Sequence, residues 1–279
     1  MAPFDLPREV LDRDIERILA LGITLKTNHP LRGRSPLKKL KDKGFDALIL
    51  ATGATRGLGL DLKNWSSLQG TWNGLEFIQA MYEETPPVHL GEPVVVSGGG
   101  PWAISAARVA MRKGARDVTL VMPRPRSELP AQNKLQEAER EGVKILYSSG
   151  VTSLLGEKNS TPSGAGSEKL TQVTVAPFKL SPAPPAQRIE GVRRKNAQTL
   201  EARTLVAASL RLGDTSWLRE EPLPYGPLGN LIPEDDSLNL GRPWLFGAGE
   251  VVTGAKTVVD SMASGIAGAQ GVHRYLRTL

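Results

Sequence analysis

Gly98-Gly-Gly100-Pro-Trp-Ala103 is the stretch that most restricts what this chain can fold into. It fits G-x-G-x-x-G/A and stands between an apolar run, Val94-Val-Val-Ser97, and a stretch with helical spacing, Ala103 to Lys113. Strand, glycine turn and helix in that order open a dinucleotide-binding β-α-β unit. The first glycine permits the tight turn, and the second lets a pyrophosphate approach the backbone. Small Ala103 lets helix and strand pack closely, while N–H groups at the helix start face anionic oxygens. Two residues resist this reading. Pro101 carries no N–H and Trp102 adds bulk, so a glycine turn without a ligand stands as the alternative.

The pattern continues with a second strand at Val118 to Met122, a helix at Lys134 to Glu141 and a third strand at Val143 to Tyr147. Residues from about Pro93 to Tyr147 therefore read as β-α-β-α-β. In an NAD-binding unit the second strand ends in an acidic side chain that bonds the ribose hydroxyls. Here it ends in Met122-Pro-Arg-Pro-Arg126. Arg124 and Arg126 suit a 2′-phosphate, held by charge-assisted hydrogen bonds, which favours NADPH over NADH. Two solvated arginines are the alternative.

Outside this unit, apolar Val10, Leu11, Ile15, Ile18 and Leu19 recur at helical spacing after Pro7, predicting a helix to about Leu21. Ile23 to Lys26 alternates like a short strand, Pro36 to Lys43 reads as a short basic helix, and Asp46 to Gly53 reads as a buried strand inside a sheet. A loop from Arg56 to Gly70, holding Gly57-Leu-Gly59, precedes a helix near Leu75 to Glu84. Strand-like Val151 to Leu155 and Leu170 to Leu180 flank a Ser/Gly/Pro-rich tip, Gly156 to Lys169, in which Gly164-Ala-Gly166 is read as loop. A strand near Thr204 to Ser209 precedes a proline-rich loop, the run Trp244 to Glu250, and a helix from about Thr257 to Tyr275. The expected fold class is α/β, with a Rossmann-like NAD(P)-binding domain at 89–207. The stretch Thr85 to Pro93 reads as a domain boundary.

Composition removes several chemistries. With no cysteine among 279 residues, this chain supplies no disulfide, thiolate metal site, iron–sulfur ligand or thioredoxin-reductase-like dithiol. His29, His89 and His273 lie far apart, and no metal is assigned. The net charge of +6 comes from scattered residues, and runs such as Lys38-Lys39 and Arg193-Arg194-Lys195 read as solvated faces, so no nucleic-acid partner is assigned. No apolar stretch has the length of a membrane span and MAPFDLPREV has no signal-peptide layout, so the expected location is the cytoplasm.

Several motifs in order make the chain resemble the small (β) subunit family of NADPH-dependent glutamate synthase. They are Phe4-Asp-Leu-Pro-Arg-Glu-Val10, Ala51-Thr-Gly-Ala54, Gly98 to Arg108, Arg124 to Ala131, Glu139-Arg-Glu-Gly142 and Gly247-Ala-Gly-Glu-Val-Val-Thr-Gly254. The resemblance spans nearly the whole chain. It implies that the Rossmann-like NADPH domain at 89–207 is inserted into a truncated FAD-binding-type domain made of 1–88 and 208–279, with hydride passing from nicotinamide to flavin and electrons moving on toward iron–sulfur centres. By the same resemblance Thr52 and Gly53 lie by the flavin nucleotide, while Gly249, Glu250, Thr253 and Gly254 line its ribityl and ring region; a glycine-rich turn without ligand is the alternative there. The family's cysteine-rich region and first FAD-binding β-α unit would precede Phe4. Glu250 stands where the family has Asp, Pro101, Trp102 and Ser105 replace Asn, Val and Asp, and Met122-Pro123 replaces Tyr-Arg.

Two functions are consistent with these residues. One is an NADPH-dependent flavoprotein oxidoreductase module. Its protein partner supplies the FAD ADP-binding half, iron–sulfur centres or an electron acceptor. The other is a non-catalytic structural or assembly subunit that kept the fold and lost flavin binding. No catalytic acid or base is named, because nicotinamide and flavin carry hydride chemistry themselves.

Overall fold

The four residues that lead into the glycines, Val94–Ser97, are all buried, as a strand covered on both faces must be. In a computed structural model, which describes residues 2–31, 33–83, 90–129, 131–158, 168–177, 196–209, 211–227 and 229–279, they form the middle of a parallel sheet. In chain order the elements begin with helices α1 (Arg8–Leu19) and α2 (Pro36–Asp42), strands β1 (Leu48–Leu50), β2 (Arg56–Gly57), β3 (Leu68–Gln69) and β4 (Thr71–Asn73), and helix α3 (Gly74–Glu83). Next come β5 (Val94–Ser97), α4 (Pro101–Arg112), β6 (Val118–Val121), α5 (Gln132–Arg140), β7 (Lys144–Leu146), β8 (Ser149–Lys158) and β9 (Glu168–Pro177). The last are β10 (Gln198–Glu201), β11 (Thr204–Ala207), β12 (Arg211–Leu212), β13 (Asn239–Arg242), β14 (Leu245–Gly247), α6 (Glu250–Thr253) and α7 (Val258–Leu276).

The chain divides into two compact units, one of residues 1–11 and 58–209, the other of residues 12–57 and 210–279. In the first, five parallel strands stand in the order β4-β11-β5-β6-β7. Side-chain alternation divides the core between the two faces of this sheet. Val94 and Val96 pack with Phe77 of α3, Ile104 of α4 and Leu135 of α5. Val95 packs instead with Leu170, Val173 and Val175 of β9, which lies in an antiparallel layer with β8 and β10. The expected β-α-β-α-β is present, and the sheet extends beyond it through β11 and β4. Residues 58–83 are grouped with this unit, a division that differs from the 1–88, 89–207, 208–279 reading, because β4 pairs with β11 along Leu205↔Thr71 to Ala207↔Asn73.

The N-terminal segment belongs to the same unit. Ala2 is fully buried, Phe4 lies beneath the guanidinium groups of Arg108 and Arg112 at 4.5 and 4.3 Å, and Asp5 accepts hydrogen bonds from Ser105 Oγ at 2.6 Å and Lys134 Nζ at 2.5 Å.

In the second unit the sheet order is β1-β14-β13, with β1 parallel to β14 and β13 antiparallel to it. Leu37, Leu50, Leu218, Leu231, Leu240 and Leu245 form its core. Helix α7 approaches closely at Gly271, where a Cβ would stand 2.2 Å from the Ser237 carbonyl oxygen. The chain leaves this unit at β2 and returns at β12, and these two strands pair antiparallel, Arg56↔Leu212 and Gly57↔Arg211. Thr257 begins α7 with a capping box, accepting from Asp260 N–H while Asp260 accepts from Thr257 N–H. Replacing Thr257 with Ala is expected to remove about 1 kcal/mol of local helix stability, detected as faster amide exchange at residues 258–261.

Three sequence expectations fail here. Ile23 to Lys26 forms no strand, and Ile23 and Leu25 are 54% and 61% exposed, so alternation without a partner strand yields irregular chain. The strand read as buried within Asp46 to Gly53 shortens to β1 at a sheet edge with Ile49 exposed, because among the described residues only β14 pairs with it. The helix read to Leu21 ends at Leu19 and buries none of its residues. The boundary residues 84–89, the tip residues 159–167, residues 178–180 of the predicted strand and Arg193 to Lys195 lie outside the described residues. Among the described residues no helix is long and apolar enough to cross a membrane.

Candidate functional site

Gly98 follows β5 and donates its N–H to Val121 O at 3.0 Å, tying the start of the turn to the neighbouring strand. A Cβ on Gly98 would stand 2.4 Å from Ala208 O and 2.8 Å from the Ala103 Cβ, so the turn needs both a glycine and a small residue three positions into the helix side. At Gly99 a Cβ would meet Pro123 at 3.0 Å. Gly100 differs from both: it is the N-cap of α4 with extended φ −120°, no side chain caps the helix, and nothing lies within 4 Å of where its Cβ would be. The amides of Ala103 and Ile104 donate to Gly100 O at 3.0 and 3.4 Å. Pro101 has no N–H, and among the described residues the N–H groups of Gly99 and Gly100 have no partner. The uncapped helix start and the open side of Gly100 make a cradle that an anionic pyrophosphate fits.

Trp102 does not fill that cradle. Its indole Nε1 is 2.8 Å from the point a Cβ on Gly74 would occupy, so the ring lies against the first residue of α3 and its bulk is accommodated by that glycine. Nothing in the local sequence around Trp102 signals this arrangement.

The two arginines after β6 are treated differently by their surroundings. Arg124 is half-buried, with its Cγ 4.0 Å from the Cβ position of Gly99, and has no ion pair among the described residues. Arg126 donates from Nη2 to Glu139 Oε2 at 2.9 Å, and its guanidinium carbon lies 6.0 Å from the centre of the Tyr147 ring. Tyr147 OH donates to Glu139 Oε1 at 3.3 Å. Burial pushes the Tyr147 phenol above its usual range, and the Glu139 charge adds to the effect.

In the other unit, parallel pairing of β1 with β14 brings two glycine-containing segments together at the carboxyl ends of the strands. Leu50 pairs with Gly247, and Ala248 N–H donates to Leu50 O at 2.9 Å. Thr52 and Gly53 therefore emerge beside Gly249 and Glu250, at the strand ends where open α/β sheets bind ligands. Gly249 and Gly254 have φ 67°, ψ −158° and φ 71°, ψ 177°, a region essentially closed to residues with a Cβ. Nothing lies within 4 Å of a Cβ placed on Gly53, Gly249 or Gly254, which leaves their backbone approachable. Ser264 Oγ accepts from Gly249 N–H at 2.9 Å, and Thr253 Oγ1 donates to Gly249 O and Gly254 O at 3.2 and 3.0 Å. Glu250 is already engaged: its Oε1 accepts from Arg211 Nη2 at 2.8 Å and from Lys256 N–H at 3.2 Å. Arg211 and Ser264, 39 and 14 positions from Glu250, escaped sequence reading because no local pattern links them to it. Among the described residues no second G-x-G-x-x-G turn joins a strand to a helix in this unit.

The family described as pyridine nucleotide-disulphide oxidoreductase matches residues 14–265. The chain is 30% identical over 278 residues to NADP(+)-dependent formate dehydrogenase subunit beta of Moorella thermoacetica, a span of 98% of this chain and 38% of that protein. It is 27% identical over 289 residues to the glutamate synthase (NADPH) small chain of Escherichia coli K12, a span of 98% of this chain and 59% of that protein. The chain thus spans about two fifths to three fifths of the length of these curated relatives. Among solved structures, FprA from Mycobacterium tuberculosis in complex with NADPH superposes with a TM-score of 0.65 at 15% identity, covering 86% of this chain and 66% of that one. That likeness is one of fold.

Proposed function

Because the chain belongs to the pyridine nucleotide-disulphide oxidoreductase family, we propose that it is an NADPH-dependent flavoprotein oxidoreductase module that passes a hydride from NADPH to FAD and electrons onward to a protein partner. The observation that carries this reading is the cradle at residues 98–103, with its open Gly100, uncapped helix and neighbouring Arg124. The names of the two relatives support it, since one is an NADP(+)-dependent subunit and the other an NADPH small chain. Both are also named as parts of larger enzymes, which supports a protein partner.

When bound, nicotinamide and flavin supply the hydride chemistry. The chain's own residues bind and align them. Gly99 and Gly100 N–H groups would hold the pyrophosphate, buried Ala103 keeps α4 against β5, and Arg124 with Arg126 would take the 2′-phosphate. Thr52, Gly53, Gly249, Glu250, Thr253 and Gly254 form the flavin end, where the open backbone of three glycines suits a flat ring and its chain. This unit offers no glycine fingerprint for the ADP half of FAD, so we assign that half to residues outside this chain. With no cysteine in the sequence, a disulfide on this chain plays no part in the electron path.

The test is the visible spectrum of the purified protein, followed by titration with NADPH and NADH. Flavin bleached by NADPH supports the oxidoreductase reading. Binding of NADPH without flavin supports the nucleotide half of it and places the rest of the flavin site on another chain. Absence of flavin together with absence of binding of either nucleotide overturns it. The second reading, a non-catalytic subunit, is favoured by one observation: Arg211 and the Lys256 amide already occupy the Glu250 carboxylate that the resemblance gives to the ribityl chain.

A further inference from the structure

We propose that Glu139 tempers the preference of this chain for NADPH over NADH, acting as a resident counter-anion that the 2′-phosphate of NADPH must displace from Arg126. The inference rests on the reading of residues 98–126 as an NADPH site and adds a residue that opposes binding.

The geometry separates the two arginines by what they do before any ligand arrives. Arg124 lies beside Gly99 with no ion pair among the described residues, so its charge stands ready. Arg126 is neutralised: Glu139, the next-to-last residue of α5, accepts from Nη2 at 2.9 Å. Glu139 is itself fixed by the Tyr147 hydroxyl at 3.3 Å, and the guanidinium lies over the Tyr147 ring. The Arg126 backbone is pinned as well, since Gln132 Nε2 donates to Arg126 O at 2.7 Å. The side chains of Arg126 and Glu139 are 50% and 33% exposed, so an incoming phosphate reaches the pair from solvent. A phosphate near −2 outcompetes a carboxylate at −1 for a guanidinium, yet every contact it gains is offset by the one Glu139 loses. NADH carries a hydroxyl at the same place and has no charge to exchange. The carboxylate therefore weakens NADPH binding selectively, and Tyr147 holds it where it does so.

The experiment measures binding of NADPH, NADH, adenosine 2′,5′-bisphosphate and AMP to the full chain by calorimetry, for wild type, Glu139→Gln, Arg126→Met and the double variant. Glu139→Gln is expected to tighten NADPH and the bisphosphate about two- to fivefold, the worth of an exposed ion pair. NADH and AMP should change by less than about twofold. In the Arg126→Met background the Glu139→Gln change should vanish, because the effect passes through that guanidinium. A structural role for Glu139 predicts equal changes for all four ligands instead. Unchanged or weakened NADPH binding in Glu139→Gln, or a gain that persists without Arg126, overturns the proposal while leaving the NADPH site standing. Wild-type protein that binds neither NADPH nor the bisphosphate overturns both.

Discussion

Gly98→Ala is expected to destabilise the dinucleotide unit by about 3 kcal/mol, at the upper end of what overpacking costs, and to abolish nucleotide binding with it. The new methyl would meet the Ala208 carbonyl oxygen at 2.4 Å and its carbon at 2.8 Å. Both are backbone atoms at the end of β11, so no rotamer change relieves the clash. Gly100→Ala, two residues on, separates binding from folding. Its φ of −120° suits any residue, and the methyl meets nothing within 4 Å. Its folding cost should stay below about 1 kcal/mol, the ordinary scale of a surface change, while nucleotide affinity falls at least about tenfold because the methyl projects into the approach of the pyrophosphate. Urea denaturation beside nucleotide titration reads both. Gly98→Ala with wild-type stability would show that β11 and α4 yield, and Gly100→Ala with wild-type affinity would show that the ligand does not pass over this residue.

Arg108→Met should have the next largest effect, about 2–3 kcal/mol, less than the 3–5 kcal/mol of a fully buried pair because its partners are partly solvated. Arg108 is 5% exposed, donates from Nε and Nη2 to Glu141 at 2.9 Å each, reaches Glu137 from Nη1 at 2.7 Å and lies over Phe4. Methionine keeps the stem but leaves Glu141 with Arg112 alone and Glu137 to solvent. The loss should appear in thermal melts and as faster amide exchange at residues 2–6, which the Phe4 contact holds down. It should also depend on pH. Burial pushes the Glu141 carboxyl up, but hydrogen bonds from Arg108 and Arg112 outweigh that and hold it below the usual carboxylate range. A carboxyl lower in the folded than in the unfolded state stabilises the fold above its unfolded pKa of about 4.3, and the contribution is lost as pH falls through the folded value. The gap between wild type and Arg108→Met should therefore narrow below about pH 4. A gap that stays constant would mean the cost is packing alone.

What the sequence made legible is what repeats locally. Val94–Ser97, the glycines and α4 follow from spacing and turn chemistry within twenty residues, and α7 from periodicity. β11 was readable near Thr204 to Ser209 but its partners were not, and β4 was missed, because a strand of three residues acquires its meaning from a partner far along the chain: Leu205 pairs with both Thr71 and Val95. Ile23 to Lys26 shows the reverse, a pattern with no partner strand among the described residues. At the candidate sites the glycines were readable from their spacing, with positive φ demanding glycine at Gly53, Gly249 and Gly254 and close packing demanding it at Gly98. The side-chain pairings were not, since Arg211 with Glu250, Arg126 with Glu139 and Trp102 with Gly74 join residues that no spacing rule relates.

The ribbon of β2 and β12 joins parts of the chain that are far apart in sequence. Gly57 and Arg211 are partners although 211 − 57 = 154 positions separate them. In an unstructured chain, bringing such distant points together carries a large entropy cost that grows with the logarithm of the intervening length. If residues 58–209 consolidate first, the two ends of the ribbon are left as a short remaining gap. Replacing a loop of that length by a gap of a few residues lowers the closure cost by on the order of 3 kcal/mol. On that order the parallel register of β1 with β14 is expected to form last, since β14 lies nearly two hundred residues after β1, and pulse-labelled amide exchange at residues 48–50 during refolding checks it.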